Sequence, residues 1–189
     1  MGLTLDVSEN GLLLNGSAIT LPCDISELTA VLGKADKTSF GEVKRDMFDE
    51  DIDEEALAQL NAQTAQRACY TWNALGMHCH TDDGVTVNTL SLRMNDSTLM
   101  KHPDYYAKTM FSGTFTINGR PWLKQLEKGD KSEDTTELIL GEYSVYATRT
   151  DYRLHLFSKA AKYSVIEISL EDDDDDDIDD YGGLFSSGK

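Results

Sequence analysis

Residues 69–94, CYTWNALGMHCHTDDGVTVNTLSLRM, constrain the chain more than any other stretch. The segment 75–80 runs into Thr81-Asp82-Asp83-Gly84, where the glycine supplies a permissive backbone and the aspartates favour turn geometry, and 85–94 then returns as an apolar, β-branched run. That pattern predicts a hairpin. In the return strand Val85 and Val87 share one face while Leu90 and Leu92 share the other, so either both faces are covered or a bulge near Asn88 switches the phase. Either way the strand is central in its sheet. Tyr70 and Trp72, spaced by two, precede it and bring large rings to any core formed against a neighbouring helix.

The flanking sequence extends this sheet. Residues 3–7 alternate apolar and polar, Ser8-Glu9-Asn10-Gly11 reads as a turn, and 12–14 lead into Asn15-Gly16, which predicts a small meander ending near Leu21. Asp24 with Glu27 three residues on forms a capping box, Ile25, Leu28, Val31 and Leu32 make one apolar stripe, and Gly33 suits the C-terminal cap of the short helix so defined. Residues 34–44 read as loop or short strand with Phe40 as anchor. Phe48, Ile52, Ala56, Leu57 and Leu60 then fall at helical spacing, predicting an amphipathic helix from about Phe48 to Gln66 whose acids crowd its first turns. Residues 95–106 are irregular.

A second half starts with a strand over 110–117, the turn Asn118-Gly119, a short helical stretch from Trp122 through Leu126 and a polar loop over 129–136. Strands follow at 138–140, 143–148, 152–157 and 163–170, the last alternating Val165, Glu167 and Ser169 against Ile166, Ile168 and Leu170, as a half-buried antiparallel sheet requires. The expected fold class is α+β, mainly antiparallel sheet with a few short helices. GLLLNGSAITLP and GTFTINGRPWLK share a glycine, a strand, Asn-Gly and a return toward a helix, which points to two tandem related units, 3–94 and 110–170, within one globular domain over 1–170. Residues 171–189, EDDDDDDIDDYGGLFSSGK, read as an acidic flexible tail, because six consecutive aspartates repel one another and cannot pack.

Charge narrows the function. The chain of 189 residues carries a formal net charge of -17, with 17 basic and 34 acidic residues. Residues 46–55 and 171–180 together hold 16 of those acids and no base, so the rest of the chain, with 18 acids against 17 bases, is close to neutral. Two acidic patches of this density argue against nucleic acid and for a basic partner. The opening residues lack a basic, apolar signal segment and no run approaches the roughly 20 apolar residues of a membrane span, so a cytoplasmic location and no membrane partner are expected. Cys23, Cys69 and Cys79 form an odd set that fits reduced structural thiols.

Catalytic signatures are missing: there is no phosphate-binding or dinucleotide glycine pattern, no Gly-x-Ser-x-Gly and no His-Glu-x-x-His. On a strand His78 and His80 point one way and Cys79 the other, so the three cannot share one zinc; the histidines read as surface or edge residues of the hairpin, with a His78 and His80 pair joined by another ligand as the alternative. Nothing in the sequence supports Cys69 with His102 or His155 as a nucleophile and base. Asp49, Asp51 and Asp53 resemble the start of a calcium loop but lack its sixth-position glycine. No cofactor, no metal and no enzymatic activity are expected.

The order strand, short helix ending in Val31-Leu32-Gly33, then Tyr70-x-Trp72, hairpin and alternating strands resembles the immunity proteins of bacterial contact-dependent and type VI secretion systems. Its helix-then-strands layout in two tandem units also resembles the β-lactamase inhibitory protein-like architecture. The resemblance implies a non-enzymatic inhibitor that binds and blocks a cognate toxin in the cytoplasm; the acidity is compatible with a basic toxin. The expected contacts are Asp49, Glu50, Asp51, Asp53, Glu54 and Glu55, aided by exposed aromatics on the hairpin. The alternatives are an accessory or scaffold protein tethered by its acidic tail, or a small enzyme of unrecognised type.

Overall fold

Both Asn-Gly pairs turn as their sequence requires, with positive φ at Asn15 (52°), Gly16 (80°), Asn118 (53°) and Gly119 (65°), the type I′ geometry that matches strand twist. The computed structural model describes residues 2–39, 55, 58–59, 61–62, 65–95, 107–132, 135–149 and 163–170. The chain runs β1 (Thr4–Ser8), β2 (Gly11–Leu14), β3 (Ser17–Ile19) and β4 (Cys23–Asp24) into helix α1 (Ile25–Leu32). Next come β5 (Asp36–Ser39), β6 (Ala68–Trp72), β7 (Met77–Thr81), β8 (Thr86–Val87) and β9 (Thr89–Arg93). The second half comprises β10 (Thr114–Ile117), β11 (Arg120–Pro121), helix α2 (Trp122–Leu126), β12 (Asp130–Lys131), β13 (Thr135–Leu140), β14 (Tyr143–Arg149) and β15 (Tyr163–Leu170).

Two sheets share one core. The smaller has the order β11-β10-β1-β2-β3 and the larger β12-β13-β14-β15-β9-β7-β6-β5, while β4 and β8 pair separately. The larger sheet is antiparallel throughout, and its order is symmetric about the β15–β9 seam: on each side a meander starts at the outer edge after a helix and winds inward. In the smaller sheet β1 lies between β2, antiparallel, and β10, parallel. Asp6 of β1 binds the second Asn-Gly turn, its Oδ1 accepting from Gly119 N at 2.9 Å and from the Thr116 hydroxyl.

Alternation decides what the larger sheet buries. Leu138, Val145, Ile168, Leu90, Cys79 and Tyr70 are successive cross-strand partners on one face; Ala147, Ile166, Leu92, Met77 and Trp72 form the next row of that face. These side chains join Leu5, Val7, Leu12 and Leu14 of the smaller sheet, Leu28 of α1 and Leu126 of α2 in a single cluster. A fully buried Leu or Ile contributes roughly 1.5–3 kcal/mol, so this face supplies much of the driving force for folding. Helix α1 is capped as expected, Asp24 Oδ1 accepting from Ser26 N at 2.7 Å and Gly33 N donating to Thr29 O at 2.9 Å.

The central strand switches phase where its sequence pattern breaks. Val87 pairs with Cys23 in the small β4–β8 ladder and is buried, whereas after Asn88 the chain enters the large sheet as β9, between β7 and β15. Several expectations need correction. Residues 129–136 are not all loop, because β12 and the start of β13 pair there as an edge hairpin. Strand β10 begins at Thr114, not at Met110, since 107–113 instead run alongside the 73–76 turn. Strand β15 is buried on both faces over 163–166 and is not half-buried. Of the helix expected over 48–66, Glu55, Ala58, Gln59, Asn61 and Ala62 are helical and Gln66 lies in a turn; the other positions, and the strand expected at 152–157, lie outside the described residues.

At the 73–76 turn Gly76 has φ +72°, and a Cβ there would sit 2.2 Å from Phe111 N. Gly119 also has positive φ but faces open space. Gly76→Ala is therefore expected to cost at least about 2 kcal/mol, against about 1 kcal/mol for Gly119→Ala, measured as shifts in the urea midpoint.

Candidate functional site

The second face of the large sheet is polar. One register row crosses all eight strands as Asp130, Glu137, Tyr146, Glu167, Ser91, His78, Thr71 and Asp36; the neighbouring row reads Ile139, Ser144, Ser169, Thr89, His80 and Cys69. These are the alternates of the core positions, so the period of two that fills the core also composes this face.

The face has two unlike halves. Around β6, β7 and β9 it is covered: Cys69, Thr71, His78 and Ser91 are buried. Around β13, β14 and β15 it is open, and a basin of about 590 Å³ is lined there by Glu137, Ile139, Ser144, Tyr146, Glu167 and Ser169, with His80, Asp82 and Thr89 at its other side. Ile139 (51% exposed) and Tyr146 (38%) are two of the five exposed large hydrophobic side chains among the described residues. Among the described residues no lysine or arginine lines this basin. The nearest described ion pair is at the rim, where Arg67 Nε lies 2.9 Å from Asp82 Oδ1.

The basin's side chains are held in place. Ser144 Oγ donates to Glu137 Oε1 at 2.6 Å, and the Thr135 hydroxyl donates to Tyr146 Oη at 3.3 Å. Burial pushes the Glu167 carboxyl above its ordinary range, with the Ser91 hydroxyl across the ladder working the other way. Burial also lowers His80, partly offset by Asp82. His78 is pushed down to about 3, first by burial and then by the charges of His80 and Arg93. The two imidazoles meet edge to face with centroids 5.5 Å apart.

Several expected site residues stand differently. His78 is fully buried and is not a surface histidine, because β7 lies inside the sheet and not at an edge. Trp72 is not an exposed aromatic either: it is 4% exposed and its Nε1 donates to Gly33 O at 3.0 Å. Tyr70 is half-buried, with its hydroxyl donating to Gly84 O at 2.7 Å. Cys79 faces the core, opposite to His78 and His80 as strand geometry demands. Burial raises Cys69 and Cys79 to about 12 and Cys23 to about 11, so all three are protonated thiols and poor nucleophiles. Asp49, Glu50, Asp51, Asp53 and Glu54 lie outside the described residues, as do His102 and His155; Glu55 is helical and exposed. Among the described residues no group of three or more His, Cys, Asp or Glu is arranged to hold a metal, and no helix is long and apolar enough to cross a membrane.

The fold and basin thus define a protein built on one broad antiparallel sheet that presents an acidic, aromatic-bearing face. Residues 4–132 match the model of DUF7738, a domain of unknown function, and the chain belongs to that family. Glu137, Ile139, Ser144, Tyr146 and Glu167 lie C-terminal to the matched stretch. No curated protein and no solved structure matches the chain.

His78, buried, and Glu167, partly buried, act in opposite directions on stability. Below about pH 6.5 the unfolded chain binds a proton at His78 that the folded chain refuses down to about pH 3, so stability falls with acid by about 1.4 kcal/mol per pH unit. His78→Gln should remove about 2 kcal/mol of the loss in urea stability between pH 7 and pH 5. Glu167 binds its proton more tightly when folded, so its contribution is lost as pH rises through the raised value; Glu167→Gln should flatten that part of the profile.

Proposed function

We propose that this protein is a non-enzymatic, immunity-type inhibitor that neutralises a basic protein partner by laying the open half of its large sheet against it. The observation that carries this reading is the basin itself, with Tyr146 and Ile139 exposed beside Glu137 and Glu167 and, among the described residues, no lysine or arginine lining it. Exposed aromatic and aliphatic anchors ringed by charge have the composition of a binding hot spot, and a hydrogen-bonded sheet loses little freedom on docking. The net charge of -17, carried mainly by 46–55 and 171–180, supports a cationic partner and disfavours nucleic acid, because it attracts basic proteins to the chain.

The acids of 49–55 extend this attraction in the same reading. So does the two-unit architecture: segments 3–94 and 110–170 each contain an Asn-Gly hairpin, a helix and a four-stranded meander, the content expected of tandem related units joined into one platform. This supports the likeness to the β-lactamase inhibitory protein-like layout. A cytoplasmic location, where such an inhibitor would meet a toxin entering or made in the same cell, belongs to the proposal.

The test is capture of a basic partner at low salt by four full-length or shortened forms: wild type, Ile139→Ala with Tyr146→Ala, a form with 49–55 neutralised to amides, and a form lacking 171–189. The face variant should lose at least about tenfold in affinity. Neutralising 49–55 should chiefly slow association and reduce its salt dependence, and the shortened form should bind normally. Undiminished binding by the face variant would overturn the assignment, and loss only on removing 171–189 would move the function to the tail.

A further inference from the structure

The basin is specific enough to name what enters it. Glu137, Tyr146 and Glu167 are direct cross-strand partners on three consecutive strands, so the two carboxylate-bearing residues flank the tyrosine with their backbones about 10 Å apart. We propose that this slot receives a single arginine side chain of the partner, its guanidinium lying on the Tyr146 ring between Glu137 and Glu167. The inference rests on the reading of this sheet face as the docking surface.

Each wall favours a planar cation over any other occupant. Tyr146 offers an exposed ring whose hydroxyl is engaged by Thr135, which limits its freedom to swing away. A guanidinium stacks on such a ring while keeping its in-plane N–H groups for carboxylates, whereas an ammonium is a compact and more strongly hydrated charge. Glu137 is already oriented by Ser144 through one carboxylate oxygen, and a carboxylate accepts at both. Glu167 is partly buried, and burial raises its carboxyl above the ordinary range, so a cation set beside it would act on a charge that water screens poorly. Among the described residues no lysine or arginine lines the basin, which favours a cation supplied by the partner. Ile139, on the next row, would cover the aliphatic stem.

The test uses the full chain with residue-resolved NMR, titrated with octa-arginine and, separately, octa-lysine peptides. Acids at 46–55 and 171–180 will respond to both peptides through charge alone, so the readout is the set of amides around Glu137, Tyr146 and Glu167. At those amides octa-arginine should half-saturate at about threefold to tenfold lower concentration than octa-lysine. Tyr146→Ala should erase most of that preference and Tyr146→Phe should keep it. Glu137→Gln supplies an independent variant should the alanine substitution disturb the fold, and it should weaken octa-arginine at the slot. Equal affinity of the two peptides at the face, or no effect of either Tyr146→Ala or Glu137→Gln, overturns the arginine slot while leaving the docking face in place. Absence of any response at the face to either peptide overturns both.

Discussion

The pairing of β9 with β15 is the constraint on which the rest depends. It joins Leu90 to Ile168 and Leu92 to Ile166 on the core face, four side chains with no exposed surface, and Ser91 to Glu167 on the other face. Without it each half would be a four-stranded meander with an unsatisfied inner edge, a row of open N–H and C=O groups inviting association. With it the two inner edges satisfy each other. Because the paired strands are far apart in sequence, the ladder also closes a long loop, an entropic cost that buried Leu and Ile must offset.

The same seam determines where the charged face is open. On the β6–β7–β9 side the outward row is buried and polar, with His78 kept neutral by its surroundings; on the β13–β14–β15 side the row is accessible and acidic. Glu167 stands at the junction, close enough to the covered half to lose much of its hydration and close enough to the open half to meet a ligand. A carboxylate in that position is more selective than one on a fully solvated rim. Its charge is costly in that half-covered setting, which sets it apart from the fully solvated carboxylates of a simple acidic patch.

How much of this was legible depended on range. The Asn-Gly turns, the Asp24-capped helix and the phase switch at Asn88 are local, each recorded in a handful of adjacent residues, and all are present in the structure. The short edge strands β5 and β12 carry almost no apolar pattern, since an edge is half solvated, so they read as loop or weak strand. The burial of His78 and Trp72 follows from which strands lie beside and above them, information that no window along the chain contains. The acidic run at 46–55 drew attention through its density, whereas the basin's carboxylates are single residues on β13 and β15. A subtler sign was present: Glu167 lies between Ile166 and Ile168, and Tyr146 between Val145 and Ala147, lone polar or amphipathic side chains on otherwise core-forming strands. What sequence could not supply is the register that makes them neighbours.

Strand β1 adds a consequence for how the protein is made. Its ladder to β10 joins residues 4–7 to residues 114–117, so on the ribosome one side of β1 has no partner until more than a hundred further residues have been added, roughly 5–20 s at ordinary elongation rates. An uncovered strand side is a hazard in a crowded cell. Asp6, whose carboxylate later accepts from Thr116 and Gly119, lies on that waiting side. Once β10 arrives, that carboxylate becomes a clasp on the correct strand, tying together residues that the ribosome releases far apart in time.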